Sequence, residues 1–281
     1  MILPLNWEGM NLPDTTQELL SKSLIPPPGP IKRYRDQKLA VVIPYRNRKA
    51  HLIEMIPHLK KTLKRDVDTF SIFIVEQGGT ALFNRGKLFN SAVRLIRDSF
   101  DYFCFHDIDF VPLKVDYRFC PYPLRPYTFT LGDKAYPKEF DQSKLSAILE
   151  NQFIPSSTSI RAEVYPHLFG GVILIEKEAF KKVGGYSEVF EFWGYEDLDF
   201  LLRCLHQGLW PVYDPEGTFR LLPHQHSLKG LDSDLAKKLV LKNMKHYLEK
   251  SKYLKFNEKQ GKEFSLIQHK SFSDFEWLEL M

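Results

Sequence analysis

The sequence contains little cysteine. Cys104, Cys120 and Cys204 are its three cysteines among 281 residues, and their spacing matches no zinc-binding or redox motif. Cys104 and Cys204 lie in apolar runs, which favours reduced thiols, with one disulfide as the alternative. The scarcity of cysteine therefore excludes a cysteine-based zinc or redox motif.

Long apolar runs are also missing from the sequence. No stretch approaches the ~20 residues that a membrane-spanning helix needs. The first ten residues lack the basic and then apolar pattern of a secretory signal. We therefore expect a cytoplasmic protein, with a peripheral association at the inner membrane surface as an alternative. Loss of an anchor from this chain stays open.

The charge is not strongly of one sign. Lys and Arg number 39 against 35 Asp and Glu, which gives a net charge of +4, and no dense basic block occurs. We therefore expect no nucleic-acid partner. A mildly basic chain suits a small anionic ligand such as a nucleotide diphosphate, or acidic lipid headgroups.

What the chain does contain is enough apolar material for one large domain, because 43% of its residues are hydrophobic. Residues 1–37 are polar and proline-rich, and we predict an extended N-terminal arm. Residues 38–250 form the predicted domain. Residues 251–281 are predicted to be a C-terminal tail that packs on the domain or extends from it.

Apolar runs alternate with helix-period patterns in the first half of the domain. Strand, helix, strand, helix, strand predicts an α/β fold with a central, mostly parallel sheet flanked by helices. A proline- and tyrosine-rich stretch, 113–165, reads as a long insertion that covers the site. The predicted strands are 39–44, 70–75, 102–105 and 172–175, and the predicted helices cover 52–63, 88–96, 178–183, 196–207 and 232–250.

Several motifs fall where parallel strands end, which is where α/β sheets bind ligands. Arg46 and Arg48 follow the first strand, and Phe83-Asn84-Arg85 precedes the second helix. Arginine suits phosphate through its charge and forked donors. Phe83 could stack on a base and Asn84 could cap the helix. The alternative is an ordinary charged loop with a routine cap.

Two pairs of residues have the character of metal ligands. Asp107 and Asp109 follow an apolar strand, and alternate residues of an extended segment face the same way. Two imidazoles, His224 and His226, have the same spacing and could complete a metal site with Asp109. Mixed nitrogen and oxygen ligands suit manganese better than magnesium or calcium. Solvated acids at a turn and structural histidines are the alternatives.

A further acidic pair opens a predicted helix. Glu196 and Asp197 follow Trp193-Gly194-Tyr195, and leucines then repeat at helical spacing until Gly208. Carboxylates at the positive end of a helix dipole suit a general base that stays ionised. The alternative is that both residues merely favour the helix start. Gly170-Gly171, before the fourth strand, either allows close approach to a ligand or forms a tight turn.

Five of these motifs occur in the order found in β-1,4-galactosyltransferases, which form glycosyltransferase family seven. The resemblance covers roughly residues 40–227. His224-Gln225-His226 resembles the branch that transfers galactose to xylose on proteoglycan linkers. The motifs are Pro44-Tyr45-Arg46-Asn47-Arg48, Phe83-Asn84-Arg85-Gly86-Lys87-Leu88, His106-Asp107-Ile108-Asp109, Phe169-Gly170-Gly171-Val172 and Trp193-Gly194-Tyr195-Glu196-Asp197.

The resemblance implies a GT-A-type nucleotide-sugar fold and an inverting transfer from a UDP-sugar to a glycan acceptor, with Mn²⁺ as cofactor. Asp197 would be the base and Glu196 would contact the donor sugar. The metal ligands would be Asp109, His224 and His226. A loop that carries Trp193 would close over the donor and exclude water. The donor-binding set would be Pro44, Arg46, Arg48, Phe83, Arg85, Asp107, Leu168, Gly170, Gly171, Trp193 and Gly194.

The chain departs from the family at two places. Its loop from Trp193 to Asp199 is shorter than W-G-W-G-x-E-D-D, and is also similar to retaining N-acetylgalactosaminyltransferases and chondroitin-type polymerases. Leu168 stands where galactose-specific members commonly have tyrosine, so UDP-GalNAc is expected as a donor besides, or instead of, UDP-Gal. A non-catalytic nucleotide-sugar or glycan-binding module is the alternative of another class. No motif indicates the acceptor or the oligomeric state.

Overall fold

A computed structural model of the chain describes residues 3–4, 31–127, 130–131, 134–135, 169–192, 194–209, 211–223, 235, 238–243, 245–247 and 264–281. Four predicted site residues lie outside these ranges: Leu168, Trp193, His224 and His226. Most of the predicted insertion also lies outside them. Of the predicted 232–250 helix, residues 235, 238–243 and 245–247 are described, and all of them are helical.

Thirteen strands and four α-helices have defined bounds among the described residues, and residues 238–243 are also helical. The strands are β1 (Leu3–Pro4), β2 (Leu39–Tyr45), β3 (Phe70–Gln77), β4 (Tyr102–His106), β5 (Phe110–Lys114), β6 (Leu124–Arg125), β7 (Thr130–Leu131), β8 (Lys134–Ala135), β9 (Val172–Glu176), β10 (Val212–Tyr213), β11 (Thr218–Leu221), β12 (Leu266–Ser271) and β13 (Glu276–Leu280). The helices are α1 (Lys49–Asp66), α2 (Arg85–Ile96), α3 (Lys177–Val183) and α4 (Glu196–His206).

Nine of the strands form one sheet in the order β1-β10-β6-β9-β4-β2-β3-β13-β12. Its central strands β4, β2, β3 and β13 run parallel, and the β9, β1 and β12 neighbours are antiparallel. The predicted α/β architecture is thus confirmed, with parallel strands at the centre of the sheet.

The central strand β2 explains the two-sided core. All seven of its residues are buried, as expected for a parallel strand covered on both faces. Leu39, Val41 and Ile43 belong to the apolar cluster that contains the buried face of α1. Ala40 and Val42 belong to the cluster that contains α2, α3 and α4. Alternate side chains therefore anchor one helix layer on each face of the sheet.

Part of the predicted insertion is built into the fold. Residues 113–127 contribute the end of β5, the strand β6 and the buried side chains of Val115, Tyr117 and Cys120. β6 is a strand of the large sheet, and β5 pairs with β11 in a separate two-stranded sheet. The low apolar periodicity of this stretch hid these short strands from sequence reasoning.

The two ends of the chain also contact the sheet. Within the predicted arm, strand β1 pairs with β10 of the domain, and Tyr34 forms a β-bridge with Phe119. At the other end, β12 and β13 form a hairpin, and β13 pairs in parallel with β3. The three cysteines are free and buried. Over the part of the chain that is described, no helix combines the length and the apolar character that crossing a membrane requires.

Candidate active site

The arginine Arg85 is the centre of the site. It is the first residue of α2, whose start is capped by the Asn84 side chain accepting from the Lys87 amide at 2.9 Å. Its Nε donates to Asp107 Oδ1 at 2.8 Å and its Nη1 donates to Asp197 Oδ1 at 2.6 Å. Glu196 Oε1 lies 3.8 Å from the same Nη1. One guanidinium therefore joins residues from the end of β4 and the start of α4.

Burial gives these contacts their strength. The side chains of Arg85, Glu196 and Asp197 are 11%, 12% and 16% exposed. The Arg85 guanidinium lies 4.8 Å from the centre of the Phe89 ring, which closes one side of the cluster. In such a setting, Coulomb interactions are much stronger than in water. Three carboxylates around one guanidinium leave an excess of negative charge.

The pKa values follow from that excess. Burial raises the pKa of Glu196 to about 7, with repulsion from Asp197 adding to the effect. Burial raises the pKa of Asp107 to about 6, against the opposing charge of Arg85. Burial also raises the pKa of Asp197, again opposed by Arg85. Burial alone would lower the pKa of Arg85, but the negative charges of Asp107 and Asp197 raise it. Burial thus opposes the stabilisation that the helix start and Arg85 give to the charged forms of these acids.

Gly170 is required by the position of Asp197. A Cβ on Gly170 would lie 2.1 Å from Asp197 Oδ2 and 2.4 Å from its Cγ. Its neighbour Gly171 has a φ of +73° and would meet Tyr127 and Phe110. The Tyr127 hydroxyl donates to the Gly170 carbonyl at 2.7 Å. The glycine pair thus allows close approach of the backbone to an acid, and the bond from the Val172 amide to the Gly170 carbonyl, at 2.9 Å, closes the tight turn that was the other interpretation.

Asp107 and Asp109 lie in a turn after β4. The Phe110 amide donates to the Asp107 carbonyl at 3.3 Å, and the Asp107 amide donates to the Gly171 carbonyl at 2.9 Å. The prediction of an extended segment is therefore wrong, because the chain reverses here into β5. Asp107 binds Arg85, and, besides burial, the negative charge of Asp109 contributes to the raised pKa of Asp107.

The neighbouring His106 has a structural role. Its Nδ1 lies 2.8 Å from the Asp107 carbonyl and its Nε2 lies 2.9 Å from the Tyr117 hydroxyl. Burial lowers the pKa of this imidazole to about 4. A neutral His106 therefore fixes the backbone from which the turn begins.

Asp109 is joined to the strand that leads to the histidine pair. The Leu222 amide donates to the Asp109 carbonyl at 2.8 Å, which continues the pairing of Leu221 with Phe110. His224 and His226 follow in the sequence but lie outside the described residues. Over the described part of the chain, no group of three or more His, Cys, Asp or Glu forms a metal cluster. Of the three predicted metal ligands, the structure therefore describes only Asp109.

The predicted nucleotide-binding residues lie beside this cluster. Pro44 is paired within β2, and Arg48 immediately precedes α1. Arg46 Nη1 donates to the Ala81 carbonyl at 2.7 Å, and its guanidinium lies 5.6 Å from the Phe83 ring centre. The structure thus brings Arg46 and Phe83 into contact, at the same sheet edge as Arg85.

Sequence reasoning missed Gln77, which organises this edge. Gln77 is buried, its Oε1 accepts from the Asn84 amide at 2.8 Å, and its Nε2 donates to the Leu82 carbonyl at 2.9 Å. It also accepts a bond at its carbonyl from Arg46 Nε at 3.3 Å. Its position at the carboxyl end of β3 is the sequence signal that could have identified it.

Comparisons with known proteins identify the family of the chain. A family model described as the N-terminal region of glycosyl transferase group 7 matches residues 16–120. A second, described as the N-terminal domain of galactosyltransferase, matches residues 156–225. Together the two models match more than half of the chain.

Individual relatives give the same result. β-1,4-Galactosyltransferase 4 of Mus musculus is 32% identical over 212 residues, 74% of this chain and 54% of that protein. β-1,4-Galactosyltransferase 7 of Drosophila melanogaster is 30% identical over 196 residues, 68% of this chain and 52% of that protein. The chain thus spans about half the length of these relatives.

A solved structure supports the fold. The catalytic domain of Drosophila β-1,4-galactosyltransferase 7, in complex with xylobiose, superposes with a TM-score of 0.60 at 24% identity, covering 87% of this chain and 94% of that one. The fold is thus the α/β GT-A type that the sequence predicted. The family models, the relatives and the shared fold show that the chain belongs to the β-1,4-galactosyltransferases, glycosyltransferase family seven.

Proposed function

We propose that this protein is a metal-dependent glycosyltransferase that moves galactose or N-acetylgalactosamine from a UDP-sugar to a glycan hydroxyl, with inversion. The observation that carries the proposal is the position of Asp197. Its carboxylate lies in the first turn of α4, against Gly170 and bonded to Arg85. An acid, an arginine and a glycine thus meet where Asp197, Arg85 and Gly170 come together.

Asp197 acts as the general base of the reaction. The acceptor oxygen attacks the anomeric carbon as its proton passes to the Asp197 carboxylate, and the bond from that carbon to the UDP oxygen breaks. A base and a leaving group on opposite sides of the sugar give inversion. Glu196, on the same helical turn, contacts the donor sugar.

The arginines hold the diphosphate. Within the described residues, the buried Nη2 atoms of both Arg46 and Arg85 have no hydrogen-bond partner. Buried donors without a partner cost free energy, so a ligand that accepts from them is favoured. Phosphate oxygens match the planar fork of a guanidinium. Phe83, beside Arg46, offers a ring on which the uracil stacks.

The residues present fit a divalent cation. The Arg85 cluster has more carboxylates than cations, and Asp109 follows two residues after Asp107. Asp109, His224 and His226 would hold the ion, and one carboxylate with two imidazoles favours Mn²⁺. The bound ion would neutralise charge that develops on the UDP leaving group.

The relatives support the donor and the acceptor class. A mutant of the Drosophila enzyme was crystallised with manganese, UDP-Gal and xylobiose, and its fold matches this chain with a TM-score of 0.58 at 20% identity. Another relative, from Lymnaea stagnalis, is a β-N-acetyl-D-glucosaminide β-1,4-N-acetylglucosaminyl-transferase, 31% identical over 175 residues. β-Xylosides and β-N-acetylglucosaminides are therefore the acceptors to test first.

The choice of donor is proposed to depend on Leu168. An aliphatic side chain in place of a tyrosine ring would leave room for the acetamido group of UDP-GalNAc. We therefore infer that the enzyme accepts UDP-GalNAc as well as, or in preference to, UDP-Gal.

A donor and acceptor screen tests the proposal. The purified chain is incubated with MnCl₂, with UDP-Gal or UDP-GalNAc as the donor, and with a β-xyloside or a β-N-acetylglucosaminide as the acceptor. UDP release is measured, and the product anomer is assigned by NMR. Asp98→Asn serves as a control with unaltered activity, since the Asp98 side chain is 97% exposed and follows the C-terminal end of α2, the opposite end from Arg85.

We expect a β-linked product with UDP-Gal or UDP-GalNAc. An α-linked product would identify a retaining enzyme instead. UDP binding without transfer to any acceptor would identify a non-catalytic binding module. Either result would overturn the proposed inverting transfer.

A further inference from the structure

The loop before α4 has an unusual backbone. Phe192, Gly194 and Tyr195 have φ values of 72°, 95° and 74°, and two of the three are bulky aromatic residues. Non-glycine residues with such values are strained and persist only where the surroundings hold them. Tyr195 is the residue that caps α4, directly before Glu196 and Asp197. The loop conformation therefore sets where both acids lie.

One buried side chain binds this loop on both sides of position 193. Asn243 belongs to the helical residues 238–243 and is 3% exposed. Its Nδ2 donates to the Glu191 carbonyl at 2.9 Å and to the Gly194 carbonyl at 3.3 Å. A carboxamide nitrogen has two protons, so both are used on the loop.

The opposite side of the loop is bonded to the proposed nucleotide site. The Phe192 amide donates to the Phe83 carbonyl at 2.7 Å. On the Asn243 side, the rings of Tyr195 and Tyr247 lie 5.6 Å apart, as do those of Phe190 and His246. The loop thus lies between the Phe83 segment and the C-terminal helical residues.

We infer that Asn243 is a positioning residue for the transfer reaction. By binding the carbonyls of residues 191 and 194, it stabilises the strained backbone that presents Glu196 and Asp197 to the donor. It acts through the loop that it binds. The inference rests on the proposed function, because that function gives the two acids their roles.

Two substitutions test the role of Asn243. Asn243→Ala removes both donors, and Asn243→Asp removes them with almost no change of shape. Val240→Ala is the matched control, because Val240 is also buried and lies three residues earlier on the same helical segment. This control weakens helix packing without removing a bond to the loop.

We expect kcat to fall about 10- to 100-fold in both Asn243 variants, because a displacement of about 1 Å at a reacting group has that effect. The Kd for UDP should change less than threefold. At assay temperatures well below its melting temperature, Val240→Ala should have the kcat of the wild-type chain. A kcat of either soluble Asn243 variant equal to that of Val240→Ala would overturn the inference.

Hydrogen exchange provides a second readout that is independent of transfer. In Asn243→Asp, the amide of Phe192 should exchange at least tenfold faster than in Val240→Ala. If exchange is equal in the two variants, Asn243 does not hold the loop and the inference fails. If the wild-type chain transfers no sugar, the proposed function fails, and the exchange measurement still decides whether Asn243 holds the loop.

Discussion

A single methyl group on Gly170 should disable the proposed base. In Gly170→Ala, the new Cβ would lie 2.1 Å from Asp197 Oδ2. The carboxylate would have to retreat by roughly 1.3–1.5 Å to reach van der Waals separation. Gly170 is not one of the glycines with a positive φ, so an alanine there adds steric overlap without backbone strain.

The magnitude follows from what the retreat breaks. Asp197 Oδ1 accepts from Arg85 Nη1 at 2.6 Å, and a hydrogen bond between charged groups contributes about 1.5–3 kcal/mol. A reacting group misplaced by about 1 Å costs on the order of 100-fold in rate. We therefore expect kcat to fall about 100-fold while the Kd for UDP changes less than threefold.

The assay is the initial rate of UDP release at saturating donor, acceptor and Mn²⁺, with UDP affinity measured by calorimetry. Gly78→Ala is the matched control, since the atom nearest to its Cβ would be Glu279 Oε1, at 3.3 Å. Both variants are compared at a temperature well below unfolding. A Gly170→Ala enzyme with the kcat of Gly78→Ala would refute the placement of Asp197 as the base.

Three further predictions concern the same site. Burial raises the pKa of Glu196 from 4.5 to about 7 in the folded state, so its ionisation destabilises the fold as the pH rises from 4.5 to 7. Glu196→Gln should therefore raise the free energy of unfolding by about 1–3 kcal/mol at pH 8 and by little at pH 4.5. Equal gains in urea titrations at both pH values would contradict this. His226→Ala should raise the Mn²⁺ concentration needed for half-maximal activity at least tenfold, whereas His269→Ala, at an exposed position of β12, should not. An unchanged metal response would remove His226 from the ligand set. Leu168→Tyr should lower the ratio of UDP-GalNAc to UDP-Gal turnover at least tenfold by filling the space for the acetamido group, and an unchanged ratio in a competition assay would refute the proposed role of Leu168.

Local patterns were enough to predict the central elements. The run Leu39-Ala40-Val41-Val42-Ile43 is buried on both faces, and the Leu52, Ile56, Leu59 and Leu63 spacing marks the buried face of α1. The start of α4 at Glu196 was likewise predicted from leucine spacing. In each case one short segment contains all the necessary information.

The hairpin at the end of the chain was not predicted, for a physical reason. All six residues of β12 are exposed, so the strand has no buried face to produce an alternating pattern. β13 is held by pairing with β3, far away in sequence. Likewise, Arg85 reaches Asp107 and Asp197 across 22 and 112 residues, which no local periodicity encodes.

The resemblance supplied what local patterns could not, namely that these distant residues form one site. Of the predicted set, Arg46, Phe83, Arg85, Asp107, Gly170, Glu196 and Asp197 meet at one sheet edge. The placement of Leu168, Trp193, His224 and His226, the limits of the domain and the cytoplasmic localisation stay predictions.

The most direct test of the central claim is the turnover of Asp197→Asn. Asparagine keeps the size of the side chain but cannot accept the acceptor's proton, so we predict a loss of at least 100-fold in kcat with UDP and Mn²⁺ binding retained. A variant that transfers sugar at the wild-type rate would contradict the account.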